Sequence, residues 1–460
     1  MGAGSDQQLL ILAGATGSKC WRNCTDGGQH AEADPQEKTG VEMSSKPVWI
    51  WLPGRTDPVQ AGTLTLRLGP RQVTGQYVYA PAYVDLDAVI PLDQGELANF
   101  RHVAPTTEYG GLYGVMQDAM PDGFGLHMLY RKHQVESLTD LDALEFCAGD
   151  AVGAIAVCDD IGQKMAFSPA SSEQLLDLIG ALPTSQSNAH IVSLLHDMHG
   201  TSLGGERPKI TVLHEGQQWI AKFASQSDDP QATLREYLAM KIAALCEIDV
   251  APVQYVSCNG KGVLLVQRFD RHYDETGRLT RKQFASAATV IGHAAAVRGN
   301  RGRTYPNLAM QALRWHVKGH KPQLWRRMAY NVLISNGDDH LRNHGFLLES
   351  EGWRLSPAFD IAPYATRNGN AVEVKSLSLG ILPNGDAAAT VENLLFVSKF
   401  FDVSYEEAVN YLERASATIR KEWNALAKQV SQVPIGQPNF QLPSFGQWPT
   451  QSNVHKYRSY

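Results

Sequence analysis

No run of the chain approaches the ~18 consecutive apolar residues that a membrane-crossing helix needs, which argues against an integral helical membrane protein. Cysteine is scarce. Cys20, Cys24, Cys147, Cys158, Cys246 and Cys258 are six in 460 residues, scattered and without a C-x-x-C pair. A disulfide framework is thereby excluded, and a reducing, cytoplasmic setting is expected. Positive charge is also lacking. A net charge of −6 gives no general pull toward nucleic acid, so any DNA contact requires a local basic patch or a partner. The apolar piece Leu9–Ala13 has no basic flank before it and makes a poor signal peptide. A Walker A loop is missing, since no G-K-[ST] closes the one glycine-rich turn of interest. What remains is a chain of ordinary globular composition, 43% hydrophobic and 19% charged, long enough for two or three domains.

Residues 1–46 have no periodicity and are rich in Gly, Ser, Asp and Gln, so they read as a disordered extension. Met43 stands just before the first convincing strand and raises a start-site misassignment. Over 47–160, β-formers at 48–52, 63–68 and 73–79 predict a small twisted sheet, with helices at 113–120, 125–133 and 140–146 and a strand at 153–158. Asp118, Asp122 and His127 read as capping or surface residues there. A Ser-rich linker is expected over 161–199, with one helical piece at 172–179. Its His190, His196 and His199 lack the Cys or carboxylate companions of a zinc site.

Chemistry concentrates in two later stretches. Met328–Leu348 reads as the end of an apolar helix, a polar break, and a strand from Gly345, with a second strand from Trp353 to Ile361. Inside the break, Asp338 and Asn343 have the D-x-x-x-x-N spacing of a kinase catalytic loop, and Asp360 follows one hairpin later where a second metal ligand belongs. The spacing suits the charge of phosphoryl transfer. Hard oxygen ligands hold Mg²⁺ beside the phosphates, and a separate carboxylate takes the proton of the attacking hydroxyl.

The other stretch is 200–270. Gly200 to Lys209 is a Gly-rich turn feeding a strand at 210–214, and 219–223 predicts its partner. Gly204 and Gly205 let backbone N–H groups approach phosphate oxygens, and Lys222 supplies a point charge. Lys222 sits between Ala221 and Phe223, where an unpaired ammonium is costly, so it needs a partner. Glu236, near the start of a helix predicted over 231–245, is positioned to be that partner. Strands at 253–257 and 262–269 close the unit around Asn259-Gly260, a hairpin signal. Gln267, Arg268 and Phe269 occupy the hinge, whose backbone binds adenine in a kinase-like lobe.

Ser202-Leu203-Gly204-Gly205-Glu206-Arg207-Pro208-Lys209, Trp219–Phe223, Val266–Arg271 and Asn336–Asn343, in that order, resemble the successive motifs of HipA-family toxins, the serine/threonine kinases of bacterial toxin–antitoxin pairs. The likeness spans about 47–430 and includes Met120-Pro121-Asp122-Gly123 and Gly149–Gly153. It implies an α+β, bilobal protein-kinase-like fold: an N-terminal β-rich subdomain over 47–160, an N-lobe over 200–270, a helical C-lobe over 271–430 and an extended tail over 431–460. It also implies ATP and Mg²⁺ as cofactors. Asp338 would be the base, Asn343 and Asp360 the metal ligands, and Lys222 and His340 would lie at the phosphates. Ser202 would be an autophosphorylation site, where added negative charge would expel the loop and silence the enzyme. The implied partners are a HipB-like helix-turn-helix antitoxin, through which DNA is met, and a protein substrate such as an aminoacyl-tRNA synthetase. Gln267 departs from the usual hinge Glu, Arg342 replaces a common Lys, and residues 1–46 have no family counterpart. A small-molecule kinase would share this machinery. A silent, antitoxin-bound DNA corepressor would need a basic stripe that the acidic composition does not advertise.

Overall fold

Alternation of inward Leu64 and Leu66 with outward Thr63 and Thr65 makes the first sheet one-sided. Strands β1 (Glu42–Ile50), β2 (Val59–Leu68), β3 (Val73–Tyr79) and β4 (Ile155–Val157) pair in the order β3-β2-β1-β4. The computed structural model describes residues 42–182, 195, 203–225, 228–258, 260–292, 301–365, 370–431, 435–438, 440–442 and 448–449. The expected boundary at residue 47 shifts. Glu42–Lys46 are already strand, held in register by Leu64–Leu68 of β2. The rest of the expected disordered extension, the histidines at 190, 196 and 199, Ser202 and Asn259 lie outside the described residues.

The second sheet is the roof of the site. Strands β5 (Ala170–Ser171), β6 (Lys209–His214), β7 (Gln217–Lys222), β8 (Val253–Cys258) and β9 (Lys261–Gln267) pair in the order β5-β6-β7-β9-β8. The start of the supposed linker belongs to this lobe. β5 adds parallel to β6, and the helix Ser172–Ala181 buries Leu175 and Ile179 beneath Val212, Ala221 and Leu265. Phe124 and Met128, from the helix Gly123–His133 of the N-terminal subdomain, enter the same apolar cluster.

Strands β10 (Arg271–Tyr273) and β11 (Leu279–Arg281) form a hairpin after the hinge. Strands β12 (Phe284–Ser286), β13 (Gly345–Glu349) and β14 (Gly352–Leu355) form a third sheet. β14 stops at Leu355, short of the expected Ile361. Pro357 has no N–H for a ladder, and Ala358 instead bridges Val250 in parallel. The C-lobe helices His320–Ile334, Val391–Ser398 and Tyr405–Val430 surround Trp325 and Trp423, both fully buried. Ser404 and Glu407 form the expected capping box of the last helix. The described residues of the tail form no helix or strand, but they pack. Ile435 is buried, and Phe440, Leu442 and Trp448 pack on the main core.

Candidate active site

Lys222 ends β7, facing Lys209 of β6 on one side and Leu264 of β9 on the other. Its Nζ donates to Glu236 Oε1 at 2.6 Å and to Asp360 Oδ1 at 2.7 Å. Glu236 is buried because its helix, Ala232–Leu245, is wedged between the roof sheet and the C-lobe and has little surface left for solvent. Burial opposes the Lys222 charge, but Asp360 and Glu236 outweigh it and hold the ammonium above the usual lysine range.

Asp360 takes the left-handed backbone region, with φ of 59°, in the irregular strap after β14. Burial alone would push its carboxyl up. Lys222, Lys209 and Arg207 reverse this and hold it well below the usual carboxylate range. Its side chain still keeps 38% of its surface open. Phe359, one residue earlier, packs against the hinge Phe269 with ring centroids 5.5 Å apart, tying the strap to the end of the roof.

The helix His320–Ile334 delivers the other loop. It ends at Ser335 with φ of 64°, turning the chain out of the helix into Asn336–Asn343. Asp338 is exposed, and its backbone oxygen accepts from His340 N at 3.0 Å and Asn343 Nδ2 at 2.8 Å. That second bond fixes the Asn343 amide with its nitrogen engaged, leaving the oxygen as its donor toward a cation. Beneath the loop, buried Asp339 accepts from the Tyr305 hydroxyl and lies 2.8 Å from His344 Nε2. Asn331 Nδ2 donates to Tyr305 Oη at 3.3 Å, and Asn336 Nδ2 donates to Asn331 Oδ1 at 3.1 Å.

These parts meet. A cleft of about 140 Å³ is lined by Asp338, Asn343 and Asp360 together with Arg207, Asp228, Asp229, Arg235, Asn336 and Tyr364. Among the described residues, no group of three or more His, Cys, Asp or Glu is arranged to hold a metal ion. One carboxylate and one amide oxygen suit Mg²⁺, which keeps waters and is completed by substrate phosphates rather than by an all-protein cage.

Several expected contacts differ. Gly205 N–H, expected to face phosphate, donates to Asp122 Oδ1, and Gly205 O accepts from Phe124 N at 2.8 Å. Gly204 O accepts from Lys209 Nζ at 2.6 Å. At the hinge, Gln267 N donates to Pro252 O and Arg268 N to Gln218 O, both at 2.9 Å, so neither amide is available to a base. Arg268 is buried, and its side chain reaches Asp270 and Asp150 O rather than lining the cleft. His340 is exposed and does not line the cleft. Ser202 lies outside the described residues.

Sequence reasoning also passed over participants. Arg207 donates to Asp228 Oδ2 at 2.9 Å and approaches Glu236 Oε2 at 4.0 Å. The Arg-Pro-Lys close of the glycine turn was a signal for it, because cations there project over the same floor as Lys222. Lys209 is pushed down to about 8 by burial and by Lys222 across the ladder. The contacts of Asp122 carried no local signal, since Gly205 and Arg342 reach it from chain far along the sequence, whereas Asp228 is held locally by Ser225 N as well as by Arg207.

The family model described as HipA-like C-terminal domain matches residues 201–432, half of the chain. A protein called "Putative kinase Y4mE" from Sinorhizobium fredii is 23% identical over 315 residues, which cover 62% of this chain and 71% of that protein. The serine/threonine-protein kinase toxin HipA of Shewanella oneidensis is 21% identical over 186 residues, 35% of this chain and 42% of that protein. Among solved structures, a Shewanella oneidensis complex of HipA, HipB and operator DNA matches with a TM-score of 0.57 at 15% identity. The match covers 84% of this chain and 92% of that one, a likeness of fold that extends beyond the residues of the family match.

Proposed function

Since the chain belongs to the HipA kinase family, we propose that it transfers the γ-phosphoryl group of ATP to a serine or threonine hydroxyl of a protein. The observation that carries this reading is Lys222 bonded at once to Glu236 and Asp360, above a cleft that Asp338 and Asn343 also line. An ion pair made for stability alone can be fully enclosed; here Asp360, one of the two partners of Lys222, keeps an open face on the cleft.

In this reading Asp338 orients the attacking hydroxyl and accepts its proton. Asn343 and Asp360 hold Mg²⁺, which would neutralise charge on the transferring phosphates. Lys222 and Arg207 bind those phosphates, with Glu236 fixing the Lys222 rotamer. The Phe269 end of the hinge receives the base, because the amides of Gln267 and Arg268 are already committed. Exposed His340 is assigned no step. Ser202 is the proposed site of self-modification.

A HipB-like helix-turn-helix protein is the proposed partner, with DNA met mainly through it, in the cytoplasm. Incubation of the protein with γ-labelled ATP, Mg²⁺ and a cell lysate, followed by phosphopeptide mass spectrometry, tests the reading. Serine or threonine phosphorylation that disappears in Lys222→Met supports it. Label found only on small metabolites would contradict it.

A further inference from the structure

The turn Met120–Gly125 of the N-terminal subdomain touches both the glycine-rich turn and the catalytic loop. Three independent features converge there. Asp122 is bonded through both carboxylate oxygens, Oδ1 to the Gly205 amide of the glycine-rich turn and Oδ2 to Arg342 of the catalytic loop. Phe124 N donates to Gly205 O at 2.8 Å, so the peptide groups on both sides of Gly205 are held by this one turn. The third feature is shape. A Cβ on Gly123 would come within 2.6 Å of Gly205 O, and a Cβ on Gly125 within 2.4 Å of Leu203 O. The turn thus presents bare backbone where the glycine-rich turn rests, and no side chain fits between them while the two are docked.

We propose that Met120–Gly125 is the docking seat of the glycine-rich turn and that Asp122 is a positioning residue which latches the turn over the nucleotide phosphates. The proposal rests on the kinase reading for its consequence, but the docking itself does not depend on it. The seat sets where Arg207 and Lys209 stand, since both follow Gly205 within four residues and both act on the charge of Asp360. It also links two loops that a kinase brings together around ATP, with the N-terminal subdomain as the brace.

The two bonds of Asp122 are not equal. Arg342 is 48% exposed and Asp122 33% exposed, so their ion pair is screened and weak. The bond from a backbone amide to a carboxylate is charge-assisted and closes a specific loop geometry, so it carries the larger share. Asp122→Asn keeps an oxygen for Gly205 and loses only the charge facing Arg342. Asp122→Ala loses both.

Two measurements test the proposal, both on the full chain. In hydrogen–deuterium exchange, peptides covering 203–209 are expected to exchange at least about tenfold faster in Asp122→Ala, a change in opening equilibrium typical of losing one charge-assisted bond. Asp122→Asn should remain near the wild type. Steady-state phosphorylation should show the KM for ATP raised about tenfold in Asp122→Ala with a smaller change in kcat, and restored to within about threefold in Asp122→Asn. Gly125→Ala attacks the seat from its other side. Residue 125 lies inside the helix Gly123–His133 without a left-handed backbone, so alanine favours the helix while its Cβ displaces Leu203. This variant should melt no lower than the wild type and still show the faster exchange and the raised KM.

Unchanged exchange at 203–209 in both Asp122→Ala and Gly125→Ala would overturn the seat. Tighter ATP binding in Asp122→Ala would overturn the latch, since it would make the carboxylate a competitor of phosphate. Faster exchange in a protein that transfers no phosphate would leave the seat standing and remove the kinase reading instead.

Discussion

Two ionic clusters, one at the hinge and one at the end of β7, are built differently. Around Arg268, every charge is enclosed: Arg268, Asp270 and Arg271 have side chains at most 4% exposed. Asp270 accepts from both arginines and from Gly153 N, and the arginines also reach the carbonyls of Asp150, Ala151 and Gly153. Around Lys222, one lysine meets two carboxylates, and one of these keeps 38% of its side chain open. A closed cluster fastens the hinge to the N-terminal subdomain. An open one keeps capacity for a ligand.

Breaking the open cluster should cost activity far more than stability. Asp360→Asn keeps the shape of the strap but removes the negative charge from the proposed metal ligand. A loss of roughly 10³-fold in phosphoryl transfer is expected from a site whose catalysis is electrostatic, with far-ultraviolet circular dichroism unchanged. Full activity in this variant would remove Asp360 from the site.

The closed cluster should behave in the opposite way. Asp270→Asn leaves two buried guanidinium groups without their counter-charge, and removing one member of such a cluster costs about 3–5 kcal/mol. Denaturant unfolding measures this, and the folded fraction should keep near-normal ATP affinity. A stability change below about 1 kcal/mol would show that the enclosed charges are not what fastens the hinge.

Acid sharpens the same contrast. Burial pushes the Asp270 carboxyl up, but Arg268 and Arg271 reverse this and hold it well below the usual range. A depressed carboxylate stabilises fully above its unfolded value near ~3.9, and the contribution is lost as pH falls from there toward the folded value. Stability should therefore decline as pH drops below about 4, and less steeply in Asp270→Asn. Equal slopes in the two proteins would contradict the assignment.

The smallest effect belongs to Lys209. Its folded value near 8 lies below the unfolded lysine value, so the free protein sheds this proton as pH rises through 8. Bound phosphate favours the charged form. ATP affinity should fall a few-fold between about pH 7.5 and 9, and Lys209→Met should flatten that dependence. An unchanged slope in calorimetric titration would place Lys209 away from the phosphates.

What was legible in the sequence was local. The spacing of Asp338 and Asn343, the Ser404 capping box and the need of Lys222 for a partner all follow from a few consecutive residues and their periodicity. Even the Lys222–Glu236 pair was foreseeable, because an apolar strand cannot carry an unpaired ammonium. What was hidden depended on chain brought from afar. Asp122 reads as a turn residue until Gly205, 83 positions later, is laid on it. Arg268 reads as hinge until the Asp150–Gly153 turn, more than a hundred positions earlier, closes over it. Only the short strand β5 was lost in the Ser-rich segment; the helix after it, expected over 172–179, runs Ser172–Ala181 behind a capping box of Ser171 and Gln174. β14 was overextended because apolar residues continue past Pro357, where the ladder ends.

The most direct measurement is transfer of label from γ-labelled ATP, with Mg²⁺, by the wild type and by Asp338→Ala at equal concentration, alongside ATP binding by each. The wild type should phosphorylate protein hydroxyls, and the variant should bind ATP yet transfer at least ~10²-fold less, the contribution expected of a general base. Equal transfer by the two proteins would contradict the assignment of this cleft as the place where the hydroxyl attacks.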